Sequence, residues 1–202
     1  RLMSSVVQIC NIALTNVGET KIAALNEENE RARVVNLRYE DCRDSVLRSH
    51  PWNCAVARVE LSADVTAPAW GYAKRFALPA DCLRVLDVEN NFEKYEVEGR
   101  YLVTDSTSMK LKYIKKVTDP TDFDSLLTHA VAMKLASEIA ENLTGRADLR
   151  DRMLAKYLQI LSEARGVDSQ ETSLPGEFIA DDYINARLVG STYRRAKFSS
   201  EV

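Results

Sequence analysis

The chain has 202 residues, 46% hydrophobic and 28% charged, the balance of a globular protein with enough apolar material for a core. A formal net charge of −3 argues against a dedicated nucleic-acid binder, which would carry a broadly basic surface. No apolar run approaches the roughly 18–20 residues of a membrane span. The opening residues also lack the apolar segment of a secretory signal, so cytosolic folding is expected.

Ser4 or Ser5 can cap a first helix whose apolar face is Val6, Cys10, Ala13, Leu14 and Val17, with Gly18 as its left-handed stop. A second helix is predicted from about Glu28 to Ser49. Its seam Ala32, Val35, Tyr39, Cys42 and Val46 suits packing on another helix, while charged residues including Arg38, Glu40, Arg43 and Asp44 cover the rest. Pro51 ends it.

From Val56 to about Lys116 the apolar period shortens to two. Val59 and Leu61 alternate with polar neighbours, Tyr72–Leu78 is a short strand segment, and Leu83, Val85 and Val88 follow less regularly. Tyr95–Thr104 reads as a hairpin around Glu98-Gly99, and Leu111–Ile114 as a further strand. Five or six such strands imply one small antiparallel sheet packed on a helical layer.

Thr121 or Asp122 can cap a third helix running to about Leu143. Its ridge Leu127, Val131, Leu135, Ile139 and Leu143 stands beside an alanine ridge at Ala132, Ala136 and Ala140, which permits close helix approach. A fourth helix from Ala147 to about Arg165, with face Leu149, Met153, Tyr157, Ile160, Leu161 and Ala164, is closed by Gly166. Beyond it the chain is polar with unperiodic aromatics such as Phe178, Tyr183, Tyr193 and Phe198, the pattern of an arm that orders on a partner. The expected fold is α+β: an antiparallel helical bundle with a small inserted antiparallel β-sheet and an extended C-terminal tail. Its parts are residues 1–55 (first half of the bundle), 56–117 (β insertion), 118–166 (helical hairpin) and 167–202 (extended arm).

No constellation for catalysis emerges. The seven glycines form no phosphate-binding loop, and there is no GxSxG elbow. Cys10, Cys42, Cys54 and Cys82 lack metal-ligand spacing and read as reduced thiols, three of them on apolar faces. His50 reads as a helix-end residue suited to the negative dipole, and His129 as a solvated or interface histidine. The enzyme alternative is a glycan hydrolase, whose paired carboxylates would come from Asp81, Asp87, Glu96 and Glu98. With 30 acidic residues in the chain, chance supplies such candidates, and a solvated sheet face explains Glu96 and Glu98. Trp52 and Trp70 read as anchors pinning the sheet to the helices, with ligand stacking as the other possibility. No cofactor and no metal are expected.

Charge is unevenly placed. From Arg187 onward the chain carries Arg187, Arg194, Arg195 and Lys197 against Glu201, net +3, which leaves −6 on the first 186 residues. A basic arm on an acidic body suggests docking on something acidic.

The order of segments resembles the tail tubular protein A family, the head-to-tail adaptors of short-tailed bacteriophages. The residues that carry the likeness are Cys10–Glu19, Ile22, Leu25, Arg43–Arg48, His50-Pro51-Trp52-Asn53 with Ala55, Arg58 and Leu61, Trp70, Tyr72, and Leu78–Val85. Gly99, Leu102, Thr104, Asp105, Tyr113-Ile114, Leu135-Ala136, Ala140 and Leu143 continue it. It spans roughly Val6 to Gly166; Cys54 departs from it where an aromatic would be expected, and the tail matches less well. The resemblance implies a structural virion protein without a reaction. Such a protein forms a dodecameric ring beneath the portal, continues the DNA channel without sequence-specific binding, and offers a platform to the tail nozzle. Arg187, Tyr193, Arg194, Arg195 and Lys197 are then the expected portal contacts. A small cytosolic helical interaction domain is the remaining alternative.

Overall fold

The computed structural model describes residues 5–89 and 94–171, and the fold is α+β. Up to Ala164 the described residues form one compact unit, and the end of the last helix from Arg165 belongs to a second.

Helix α1 spans Val6–Val17 and begins where the Ser5 side chain accepts the Gln8 N–H at 3.1 Å. It ends at Gly18 with φ 86°, the left-handed conformation that releases the chain. Helix α2 spans Glu30–Ser49, starting two residues later than expected because Asn29 is the cap, its side chain accepting the Ala32 N–H at 2.8 Å. All five seam residues from Ala32 to Val46 are buried. Between α1 and α2 the chain is clamped by Asn11. Its Nδ2 donates to the Ile22 carbonyl at 2.9 Å, and its Oδ1 accepts the Ile22 N–H at 2.8 Å.

Helix α3, Ser125–Thr144, is the central element. Leu127, Val131, Leu135, Ile139 and the alanines 132, 136 and 140 are all fully buried, and α1 and α2 both pack on it. Its cap is Asp124, not Thr121 or Asp122, accepting the Leu127 N–H at 2.6 Å. Pro120–Asp122 instead form a separate 3-10 turn capped by Asp119, and buried Phe123 pins the junction. Helix α4, Ala147–Glu171, buries Leu149, Met153, Tyr157, Leu161 and Ala164 in the same core. It runs through Gly166 rather than stopping there. A glycine inside a helix costs about 1 kcal/mol and does not by itself end one.

The inserted strands are β1 (Val56–Leu61), β2 (Lys74–Ala77), β3 (Cys82–Val88), β4 (Tyr95–Glu98), β5 (Tyr101–Thr104) and β6 (Met109–Lys115). They make two antiparallel three-stranded sheets, ordered β1-β6-β3 and β2-β5-β4, where one sheet was expected. Two small sheets can bury each other's apolar faces. Phe76 and Leu102 from one share a core with Cys82, Val88, Met109, Leu111 and Tyr113 from the other. The β4–β5 hairpin turns at Gly99-Arg100, with Glu98 paired to Tyr101 and Gly99 at φ 59°.

Candidate interaction surface

The alternation that turns Phe76 and Leu102 inward turns a second set of residues outward from β2-β5-β4. Arg75, Val103 and Glu96 form one row across the three strands, and Ala77, Tyr101 and Glu98 the next. The connection between β1 and β2 borders this outer face. It leaves the sheet through an Asp64 N–H to Arg75 carbonyl bond at 2.8 Å. Asp64 Oδ1 then accepts the Thr66 N–H at 3.1 Å, closing a local turn. Gly71, at φ 89°, redirects the chain, and the Ala73 N–H is caught by Asp105 Oδ1 at 2.9 Å.

Between loop and sheet lies an open groove of about 700 Å³, with Trp70, Tyr72 and Tyr101 as its aromatic surfaces and Glu96, Glu98 and Asp105 as its carboxylates. Tyr72 Oη donates to Glu96 Oε1 at 3.0 Å. Partial burial and then that carboxylate push the Tyr72 phenol up from its ordinary value. The Arg75 guanidinium lies 4.5 Å over the Tyr101 ring; its Nε donates to Asp64 Oδ2 at 3.0 Å, and its Nη2 is ion-paired with the same oxygen at 2.9 Å. The Thr66 N–H, followed by Arg75, holds the Asp64 carboxyl below the usual range. With Arg75 neutralised by Asp64, the remaining lining charges are Lys94 against Glu96, Glu98 and Asp105, net −2.

Trp70 corrects the sequence reading. It is 88% exposed, with nearby Val65 exposed over its full surface, so it anchors nothing among the described residues. The signal was available: Trp70 stands between Pro68 and Gly71, in a stretch with neither helical nor strand period. Trp52 is the anchor. It is buried, its Nε1 donates to the Val46 carbonyl at 3.1 Å, and its ring stands edge-on to His50 at 4.9 Å.

The four carboxylates considered for glycan hydrolysis divide between the sheets. Glu96 and Glu98 line the groove with Trp70, whereas Asp81 and Asp87 belong to the β1-β6-β3 side. Asp81 accepts the Tyr113 phenol there at 3.3 Å. The outer face of that sheet carries mixed charges. Lys112 lies between Arg58 and Asp87, and Lys110, opposite Glu60, makes a 2.9 Å pair with Glu89. His129 is exposed beside Lys156 and Glu163 in a shallow depression of about 330 Å³.

Burial pushes the Cys10 and Cys42 thiols up to about 12 and the half-buried Cys54 to about 11, so these are protonated thiols at neutral pH. Cys82 is raised as well, again by burial. Among the described residues no group of three or more His, Cys, Asp or Glu is disposed to hold a metal ion, and no helix is long and apolar enough to cross a membrane. Arg187, Tyr193, Arg194, Arg195 and Lys197 lie outside the described residues. Comparison with family models and with curated proteins finds no match.

Proposed function

We propose that this chain is a structural virion protein, the head-to-tail adaptor of a short-tailed bacteriophage. In this reading twelve copies form a ring between the portal and the nozzle, and the ring continues the channel through which DNA passes. The chain carries out no reaction and needs no cofactor. The acidic body, −6 over the first 186 residues, suits a channel that must let phosphates slide, through repulsion reaching about 8–10 Å.

The observation that carries the reading is what the resembling segments do. Cys10–Glu19 carries Cys10, Ala13, Leu14 and Val17 of the buried face of α1, followed by its glycine stop. His50–Asn53 is the turn that locks α2 to β1 through buried Trp52. Leu78–Val85 leads into β3, where Arg100 Nη1 holds the Cys82 carbonyl at 3.0 Å. These are junction and packing roles, which is what a shared architecture without shared chemistry requires. Exposed Val65 and Trp70 add an apolar surface that a ring or its neighbours could cover.

Native mass spectrometry of the protein, alone and mixed with the portal ring of the same genome, tests the proposal. Twelve copies per portal dodecamer supports it. A monomer in both samples, with the portal intact, removes it in favour of a small interaction domain. A chain ending at Glu171, which keeps α4 whole, should stay folded and lose portal binding if the basic arm is the contact.

A further inference from the structure

We propose that the groove on the outer face of β2-β5-β4 binds a basic, extended peptide segment of a partner protein, seating arginine or lysine side chains against Trp70 and Tyr72 and pairing them with Glu98 and Asp105. The inference does not depend on the adaptor reading.

The groove already shows how it treats a guanidinium. The Arg75 guanidinium lies over the Tyr101 ring at 4.5 Å and is held by Asp64 at 2.9 Å, an aromatic face and a carboxylate acting on one cation. A second set of the same parts stands unused beside it. The Trp70 ring is 88% exposed, and the Glu98 carboxylate has no hydrogen-bond or ion partner among the described residues. Charge selects the class of occupant. With Arg75 neutralised, the lining keeps a net −2, which repels phosphates and acidic peptides and attracts cations. A purely apolar partner would strip water from Glu96, Glu98 and Asp105 with nothing in return. The shape selects an extended segment. The space is about 700 Å³ and open to solvent, and its lining runs from the Pro68–Tyr72 loop across β2, β5 and β4, room for several side chains rather than an enclosure for one small molecule.

Trp70 is its own reporter, because the chain has two tryptophans and the other, Trp52, is buried and hydrogen-bonded. The full-length protein is titrated with a glycine-spaced tri-arginine peptide while tryptophan emission is followed. The same-length glutamate peptide and a neutral oligosaccharide serve as controls. The expected result is a saturable change with the arginine peptide alone, weakened by added salt and reduced about five-fold in Glu98→Gln. A fold check by circular dichroism accompanies the variant, and a Trp70→Phe protein should lose the signal. No saturable change at millimolar arginine peptide overturns the proposal. So does an equal response to the glutamate peptide or the oligosaccharide, the latter pointing to a glycan site instead.

Discussion

Replacing Trp52 and Trp70 by alanine, one at a time, should separate two side chains to which the sequence reading assigns the same anchoring role. Trp52 is 2% exposed, packs edge-on against His50 and donates its indole N–H to the Val46 carbonyl at 3.1 Å. Its truncation removes on the order of 200 Å² of buried apolar surface, worth about 5 kcal/mol as an upper bound. The unfolded chain already buries part of that surface, while the cavity left behind adds cost, so the expected loss is about 3–5 kcal/mol. Against a total stability of about 5–15 kcal/mol this brings the protein close to unfolding. Trp70→Ala should stay within about 0.5 kcal/mol of the parent, because that side chain is 88% exposed. Urea unfolding followed by far-ultraviolet circular dichroism measures both. A Trp52→Ala loss below about 1 kcal/mol, or a Trp70→Ala loss above about 2 kcal/mol, would refute the assignment.

Asn11→Ala should cost about 1–3 kcal/mol in the same assay, since it leaves both the N–H and the carbonyl of Ile22 without their partners. Asp44→Asn weakens the carboxylate that pairs with Arg43 at 2.8 Å and Lys116 at 3.0 Å; with Arg43 only 3% exposed, about 2 kcal/mol is expected after discounting for the partly exposed acid. Lys116→Met, which removes a side chain more exposed than Asp44 or Arg43, should cost less than about 1 kcal/mol. Glu27, Asp119 and Asp148 are held below their ordinary values, chiefly by the Ala24 N–H, the Thr121 N–H and the Arg146 side chain respectively. Depressed folded values mean that the unfolded chain binds more protons in acid. Their contribution is present above the ordinary values of 4.5 for Glu and 3.8 for Asp, and is lost as pH falls through the lower folded values, which a urea midpoint series in acid will show. Cys10 and Cys42 have the opposite sign. Raised from 9.0 to about 12, they stabilise fully below pH 9 and lose that contribution as pH climbs toward 12, and in the native protein neither should react with iodoacetamide near neutral pH.

The helices were legible because each buries a stripe with its own period. The five seam residues of α2 and the two ridges of α3 are where spacing put them, and Gly18 stops α1 because a left-handed residue was needed there. Errors arose where the deciding partner lies elsewhere in the chain. Asp124 caps α3 because Asp119 and Pro120 had already closed a turn of their own, and local propensity ranks Thr121, Asp122 and Asp124 alike. Splitting the strands into two sheets depends on which strands pair, and alternation within a strand is silent on that. The groove was half visible. Glu96, Glu98 and Trp70 were each singled out, but only the register of β2, β5 and β4 brings the carboxylates onto the face that the Trp70 loop borders.

The charged flank of α2 shows the same limit from the other side. By period alone Arg43 and Asp44 belong to solvent, yet Arg43 is buried and Asp44 reaches Lys116, the residue after β6. Close by, the Arg48 guanidinium donates to the Leu83 carbonyl of β3, so the last turns of α2 hold the β module by its backbone as well as by charge. Strand β6 completes the junction, with Met109, Leu111 and Tyr113 in the core between the sheets and Ile114 in the core of the helices. A strand with two buried faces needs apolar residues on both, and Tyr113-Ile114 is the one place in β6 where two buried residues are adjacent. That adjacency breaks a period of two, and it marks where the module leaves its own core and enters the bundle's. It follows that substitutions at Phe76, Leu102, Met109 and Leu111 should be felt mainly within the module, whereas Leu83 and Leu86 of β3 also pack on the helical core. Changes at Arg43, Asp44, Arg48 and Ile114 instead couple the module to the helices, through the contacts that fix its position on the bundle.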